Sequence, residues 1–232
     1  MAGYTTSPAL KHPERIHPAL WRGSQLARPY HPTLATGFSA LDQELPGQGW
    51  PLSALIEVMP AQDGIGEIQL LQPALARLDS TRSIALVGPP YVPHFHCWVN
   101  WKLAHQRLLW VQPSSMADTL WATEQILKHN ACSAVLCWAD HVQSAALRRL
   151  HQAATHSASL FIMLRSPTAA IQPSIAPLRL RLDPQARGVS VSILKRRGPC
   201  NHQAIVLNLY PNHKARLTES TYVTSMDQRV PA

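Results

Sequence analysis

The sequence is poor in charged residues and cysteines, and long apolar runs are missing from it. Only 15% of its 232 residues are charged, and its four cysteines form no CxxC pair. This cysteine usage argues against a disulfide or zinc framework and favours a reducing compartment. No apolar run approaches the roughly 18 residues of a membrane helix, and the N-terminus has no apolar signal region. We therefore expect a cytoplasmic protein that does not bind membranes.

The sequence is rich in proline and in positive charge. It has 20 prolines, a formal net charge of +8, and 46% hydrophobic residues. The apolar content predicts a folded core, and the charge favours polyanionic partners, although moderately basic proteins without such partners are common. We predict an N-terminal arm with a short helix (1–33), a core (34–209) and a flexible C-terminal tail (210–232).

Apolar runs alternate with helical patterns through most of the core. The predicted strands span 55–59, 83–87, 108–111, 133–138 and 160–164. This alternation predicts an α/β domain of three layers around a mostly parallel sheet. From residue 178 onward, period-two alternation predicts further strands that extend the sheet in antiparallel fashion.

A glycine loop follows the first of these strands and opens a helix. Strand, glycine loop and helix form the frame of a phosphate-binding P-loop, which would end in Gly-Lys-Ser/Thr. Here Gly64 and Gly66 are followed by Glu67 and Ile68. A glutamate in place of the lysine repels phosphate, and an isoleucine cannot ligate magnesium. We predict a degenerate P-loop that holds no cofactor.

The order of motifs resembles a RecA-type ATPase core. The residues within these motifs are similar to those of the ImuA family of translesion synthesis proteins. The motifs that carry the resemblance are Leu20-Trp21-Arg22, Thr36-Gly37-Phe38, Leu41-Asp42, Gly49-Trp50-Pro51, Glu57, Gly64-Ile65-Gly66-Glu67 and Leu194-Lys195-Arg196-Arg197-Gly198-Pro199. The RecA resemblance would place a magnesium-binding Walker B aspartate at the end of the strand 133–138. Cys137 and Trp138 stand there instead.

The ImuA resemblance implies a RecA-like fold without ATPase motifs and a non-catalytic role in an SOS-induced error-prone DNA synthesis complex. The partners it implies are ImuB, a Y-family-like polymerase without catalytic residues, and an error-prone replicative-type DNA polymerase, with RecA as a further candidate. An alternative is a SulA-like division inhibitor that acts on FtsZ, because ImuA proteins also resemble SulA. An ATPase is a third alternative, which Glu67, Ile68 and Trp138 oppose.

Two regions are candidates for interaction. Basic residues in the second half of the chain predict a DNA-contacting surface, with solvated strand edges as the alternative: Arg148, Arg149, Arg179, Arg181, Lys195, Arg196 and Arg197. The tail has isolated apolar residues that predict a partner-binding segment: Leu217, Tyr222, Val223 and Met226. His94, His96 and Cys97 have no second cluster at zinc-like spacing, so we expect a loop entering a helix rather than a metal site.

Overall fold

The computed structural model describes residues 32–101, 103, 108–198 and 203–210. The strands are β1 (Thr33–Leu34), β2 (Trp50–Pro51), β3 (Ala54–Pro60), β4 (Ser83–Val87), β5 (Leu108–Val111), β6 (Cys132–Trp138), β7 (Leu160–Leu164), β8 (Leu178–Gln185), β9 (Gly188–Lys195) and β10 (Ile205–Asn208). The helices are α1 (Ser39–Glu44), α2 (Glu67–Leu75), α3 (Phe95–Asn100), α4 (Met116–Lys128) and α5 (Ser144–Thr155), with a 3-10 helix at Pro167–Ile171. None of the helices in these ranges is long and apolar enough to cross a bilayer.

An eight-stranded sheet forms the middle of the domain, in the order β10-β9-β8-β3-β7-β6-β4-β5. All neighbouring strands from β8 to β5 pair in parallel, whereas β9 is antiparallel to β8 and to β10. The predicted α/β class with a mostly parallel sheet and antiparallel strands at its end is confirmed. One detail differs: β8 is parallel to β3, because the connection from β7 crosses back over the sheet, so the antiparallel part begins at β9.

Successive side chains of β3 point to opposite faces of the sheet, and each face carries its own apolar cluster. Ile56 and Val58 belong to the cluster that contains Leu70, Leu71 and Leu75 of α2. Leu55 belongs to the other cluster, with Leu127 of α4 and with Leu147 and Leu150 of α5. Because both faces are covered, β3 is fully buried, as expected for a central parallel strand.

Helix α2 contains Pro73 in its second half and ends two residues later. An interior proline disfavours a long helix, and α2 has only nine residues. Pro73 also explains a glycine of the first motif, since a Cβ on Gly37 would lie 2.4 Å from the Cβ of Pro73. Gly37 has a φ of +93°, a conformation that glycine adopts without strain.

A buried carboxylate joins the three strands at the centre of the sheet. Glu57 on β3 is fully buried; its Oε1 accepts a bond from Nη1 of Arg165 at 2.8 Å, and its Oε2 accepts one from Nε of Arg179 at 2.6 Å. Arg165 directly follows β7, and Arg179 is the register partner of Glu57 on β8. Buried charges are costly unless they are paired, so this cluster requires all three side chains.

The Nη2 groups of the two arginines bind backbone carbonyls near the carboxyl end of the sheet. Nη2 of Arg179 donates to the carbonyl of Ala169 at 2.7 Å, and Nη2 of Arg165 donates to the carbonyl of Asp140 at 2.9 Å. The Asp140 carboxylate accepts a bond from the backbone N–H of Ser166 at 2.7 Å. Asp140 does not cap α5, because Gln143 precedes that helix; its carboxylate instead joins the ends of β6 and β7.

We predict that Glu57→Gln lowers the free energy of unfolding by about 3–5 kcal/mol, because two buried guanidinium groups lose their counter-ion. Urea denaturation measures the change. The matched control is Asp183→Asn, which removes the partner of the half-exposed Arg181 and should cost less than about 1 kcal/mol. Equal effects of the two substitutions would contradict the structural role of Glu57.

Candidate functional site

The glycine loop lies between β3 and α2, at the carboxyl end of the central strand. Gly64 and Gly66 have φ values of +81° and +117°, which side chains rarely allow. Gly66 is also enclosed, since a Cβ there would lie 2.6 Å from Cδ1 of Leu209. The predicted P-loop frame of strand, glycine loop and helix is therefore present.

The carboxylate of Glu67 accepts hydrogen bonds from the backbone N–H groups of this loop. Its Oε1 accepts a bond from the N–H of Gly64 at 2.9 Å, and its Oε2 accepts one from the N–H of Gly66 at 3.2 Å. The side chain is buried although it is charged. Backbone amides at a helix N-terminus are a favourable site for an anion, and here the chain supplies that anion itself.

The sequence alone suggested only that Glu67 repels phosphate. The structure adds that Glu67 takes the position in which a phosphate would bind the loop amides. A carboxylate in the first turn of a helix, next to two glycines, was the available signal, because Asp and Glu are favoured at helix N-termini. Its bonds back to the loop depend on the local backbone conformation, which the sequence pattern did not specify.

The second nucleotide motif is replaced by a buried thiol and an indole. Cys137 is fully buried on β6, and the hydroxyl of Thr123 donates a hydrogen bond to its sulfur at 3.3 Å. Burial raises the pKa of the Cys137 thiol to about 11, so the thiol is neutral near pH 7. Neither Cys137 nor its neighbour Trp138 offers the carboxylate of a Walker B motif.

An apolar cleft of about 220 Å³ lies beside the loop. Glu67 and Ile68 form one wall, the proline-rich loop after β4 forms another, and Trp98 and Trp138 contribute aromatic surface. Tyr91 and Val92 in the proline-rich loop are about 70% exposed. This loop follows the carboxyl end of β4, the edge of the sheet at which α/β proteins bind ligands.

A second cleft, of about 340 Å³, lies across the ends of β3, β4, β6 and β7. Its lining includes Asp63, Asp140 and Arg165. Arg165 is bound to Glu57, and Asp140 accepts from Ser166. Arg165 and Asp140 therefore serve the packing of the strand ends.

His94 directly precedes α3 and His96 lies in its first turn, as expected for a loop that enters a helix. The ring centroids of His94 and His96 are 6.0 Å apart. Within the described ranges, no three His, Cys, Asp or Glu side chains come together as metal ligands.

The predicted basic surface is divided among different parts of the fold. Arg179 shares a strand face with Arg181, as predicted, but Arg179 is buried and bound to Glu57. The assignment of Arg179 to an exposed DNA-contacting surface is therefore corrected: position 57 carries a buried carboxylate that needs a cation. Arg181 is exposed and bonds Asp183 at 2.9 Å.

The other basic residues lie on two sides of the sheet. Arg196 bonds Glu44 of α1 at 3.2 Å, whereas Arg149 of α5 lies 3.5 Å from Glu124 of α4. Arg197 is exposed at the end of β9. Since α1 and α5 pack on opposite faces, these cations do not form one continuous patch.

Two of the predicted cations, Arg148 and Lys195, lie near the same residue, Ser174. Arg148 is exposed on α5 and lines a shallow groove of about 300 Å³ together with Ser174 and Ile175. The Nζ of Lys195 donates to the carbonyl of Ser174 at 2.8 Å. Because both approach Ser174, Arg148 and Lys195 are the pair on which a phosphate-contacting surface is tested below. The predicted partner-binding residues Leu217, Tyr222, Val223 and Met226 lie outside the described residues.

Comparison with protein-family models gives no match, and comparison with curated proteins gives none either. Among solved structures, the chain is similar to SulA from Pseudomonas aeruginosa, with 22% identity and a TM-score of 0.41. The alignment covers 48% of this chain and 97% of the SulA chain. This likeness is too distant to indicate activity or partners.

We predict that Glu67→Ala lowers the free energy of unfolding by about 2 kcal/mol, because two charge-assisted hydrogen bonds are lost. The vacated amides should then accept inorganic phosphate, which would stabilise the variant by RT ln(1 + c/Kd), where c is the phosphate concentration. Thermal unfolding in phosphate and in chloride of equal ionic strength measures both effects. Wild type and the control Glu124→Ala should show no phosphate-specific gain; the same gain in all three proteins would refute a self-occupied loop.

We predict that Arg148→Glu combined with Lys195→Glu weakens binding to single-stranded DNA. If both side chains contact phosphates, the slope of log K against log salt should fall by about 1.4. The matched control is Arg77→Glu, an exposed charge after the end of α2. Fluorescence anisotropy across a salt series measures the slope for the double variant and for the control. An unchanged slope in the double variant would show that Arg148 and Lys195 do not contact DNA phosphates.

Proposed function

We propose that this protein is a non-catalytic accessory factor of an SOS-induced error-prone translesion synthesis complex, which links an ImuB-type polymerase homologue to an error-prone replicative-type polymerase. The observation that carries the non-catalytic part is the Glu67 carboxylate bound to the N–H groups of Gly64 and Gly66. A nucleotide phosphate would have to displace this carboxylate and would then lie beside its charge.

The electrostatic cost supports this part of the proposal. Two like charges about 4 Å apart repel by roughly 4 kcal/mol at an effective dielectric of 20. A P-loop lysine would contribute an attraction of similar size. Ile68 has no hydroxyl for magnesium, and Cys137 is a buried neutral thiol. The compensations on which P-loop ATPases rely are therefore missing from both motifs.

The translesion part rests on the resemblance to the ImuA family, and the packing of its motifs is compatible with a structural role. The hydroxyl of buried Thr36 accepts a bond from the N–H of Phe38 at 3.1 Å, and the N–H of Thr36 donates to the Asp42 carboxylate at 2.8 Å. Gly37 packs on Pro73, and Glu57 holds two arginines. These motif residues stabilise the scaffold, which suits a protein that acts through its surface.

Exposed aromatic residues support a role in binding other proteins. Trp121 on α4 is 63% exposed, and Trp110 on β5 is 47% exposed. β5 is the last strand on its side of the described sheet, and an open strand edge can pair with another chain. Exposed tryptophans are enriched where proteins bind one another.

The test combines calorimetry with co-purification. We expect no saturable uptake of magnesium and ATP by the full chain, and we expect it to co-purify with an ImuB-type partner whether or not nucleotide is present. Trp110→Ala together with Trp121→Ala should weaken co-purification, whereas the control Arg77→Ala should not. Tight one-to-one ATP uptake would overturn the non-catalytic assignment.

Overexpression separates the proposal from the division-inhibitor alternative. A translesion accessory factor should raise damage-induced mutagenesis only when its partners are present, without blocking division. Filamentation of undamaged cells, with inhibition of FtsZ polymerisation by the purified chain, would support the alternative and contradict our assignment.

A further inference from the structure

We propose that the C-terminal segment 211–232 docks into the apolar cleft beside the glycine loop of the same chain. The cleft is lined largely by apolar and aromatic residues, among them Ile68, Trp98 and Trp138. Its rim residues Tyr91 and Val92 are about 70% exposed among the described residues. Large apolar side chains grouped at a concave site are typical of a binding surface.

The direction of the last strand brings the segment to this edge of the sheet. β9 is antiparallel to β8, and β10 is antiparallel to β9, so β10 runs in the same direction as β3. The carboxyl end of β10 therefore lies at the same edge as the carboxyl ends of β3 and β4, next to which the cleft is formed. The chain therefore leaves β10 at the edge of the sheet at which the cleft lies.

Leu209 fixes the point from which the segment starts. Its side chain lies against Gly66 of the glycine loop, and its N–H donates to the carbonyl of Arg187 at 3.1 Å. Gln69, which lines the cleft, also approaches Gly66. From Tyr210, an extended chain reaches roughly 3.3–3.6 Å per residue, so Leu217 and later residues can span to the cleft.

The N-terminal segment joins the described chain at the opposite edge of the sheet, so it would have to run the length of the strands to reach the cleft, whereas segment 211–232 starts beside it. The carbonyl of Pro32 accepts a bond from the N–H of Leu52, and the N–H of Ser53 donates to the carbonyl of Ser159. These contacts lie just before the first residues of β3 and β7. Segment 211–232 offers apolar side chains that match the cleft: Leu217, Tyr222, Val223 and Met226.

Docking of this kind makes the cleft self-occupied, and a partner that presents an apolar peptide would compete with the segment. The inference concerns contacts within one chain, and it stands or falls independently of the translesion assignment. Cys97 provides a natural reporter, because it lines the cleft and its thiol is exposed among the described residues.

The test measures the alkylation rate of Cys97 in the full chain, with peptide mapping to assign the modified cysteine. If the segment covers the cleft about nine-tenths of the time, Tyr222→Ser with Val223→Ser should raise the Cys97 rate about tenfold. The matched control is Ser220→Ala with Thr221→Ala, which should leave the rate at the wild-type value. Buried Cys132 and Cys137 should stay unmodified in every protein, which verifies that the fold is intact.

Equal Cys97 rates in wild type and in the tail variant would overturn the proposal. So would protection that disappears on dilution, because the occupant would then be the segment of a second copy. Val223→Cys supplies an independent readout: mild oxidation should give an intrachain disulfide with Cys97. Disulfide-linked dimers, or no link to Cys97, would also count against docking within one chain.

Discussion

The bidentate contact of Glu57 with Arg165 and Arg179 is the constraint on which the centre of the sheet depends. The carboxylate lies on β3; Arg165 directly follows β7, and Arg179 lies on β8. One buried charge therefore joins three parallel strands. Arg179 also binds the carbonyl of Ala169, which fixes the 3-10 helix over this part of the sheet. Without the arginines, the Glu57 carboxylate would be buried unpaired. Without Glu57, two guanidinium groups would be buried without a counter-ion. Three separated parts of the chain must therefore assemble together.

A second carboxylate organises the site in a comparable way. Glu67 is nearly as buried as Glu57, but its partners are the amides of Gly64 and Gly66 rather than side chains. The glycine loop thus keeps the geometry of an anion site while the chain itself supplies the anion. This satisfies the N-terminus of α2 without a nucleotide. Exposed apolar surface lies elsewhere, at the rim of the cleft beside the loop and at Trp110 and Trp121.

The positive charge of the chain is used for several purposes. Arg179 and Arg165 serve the core, Arg82 binds carbonyl groups at Asn130 and Cys132, and Arg196 joins the end of β9 to α1 through Glu44. Arg148 and Lys195 remain together at the surface near Ser174. A net charge of +8 therefore overstates the basic surface that a polyanion can reach, because part of it is internal.

The sequence alone determined the alternation of the main strands with helices and the glycine loop without its lysine. Those features follow from residue periodicity and local hydrogen bonding, which act between neighbours in the chain. The structure alone decided that Arg179 is buried, that Asp140 binds Ser166, and that β8 runs parallel to β3. Glu57 and Arg179 are 122 positions apart, and no local pattern can reveal which of several arginines will face a given carboxylate. That choice is made by strand register, which is set only when the whole sheet packs.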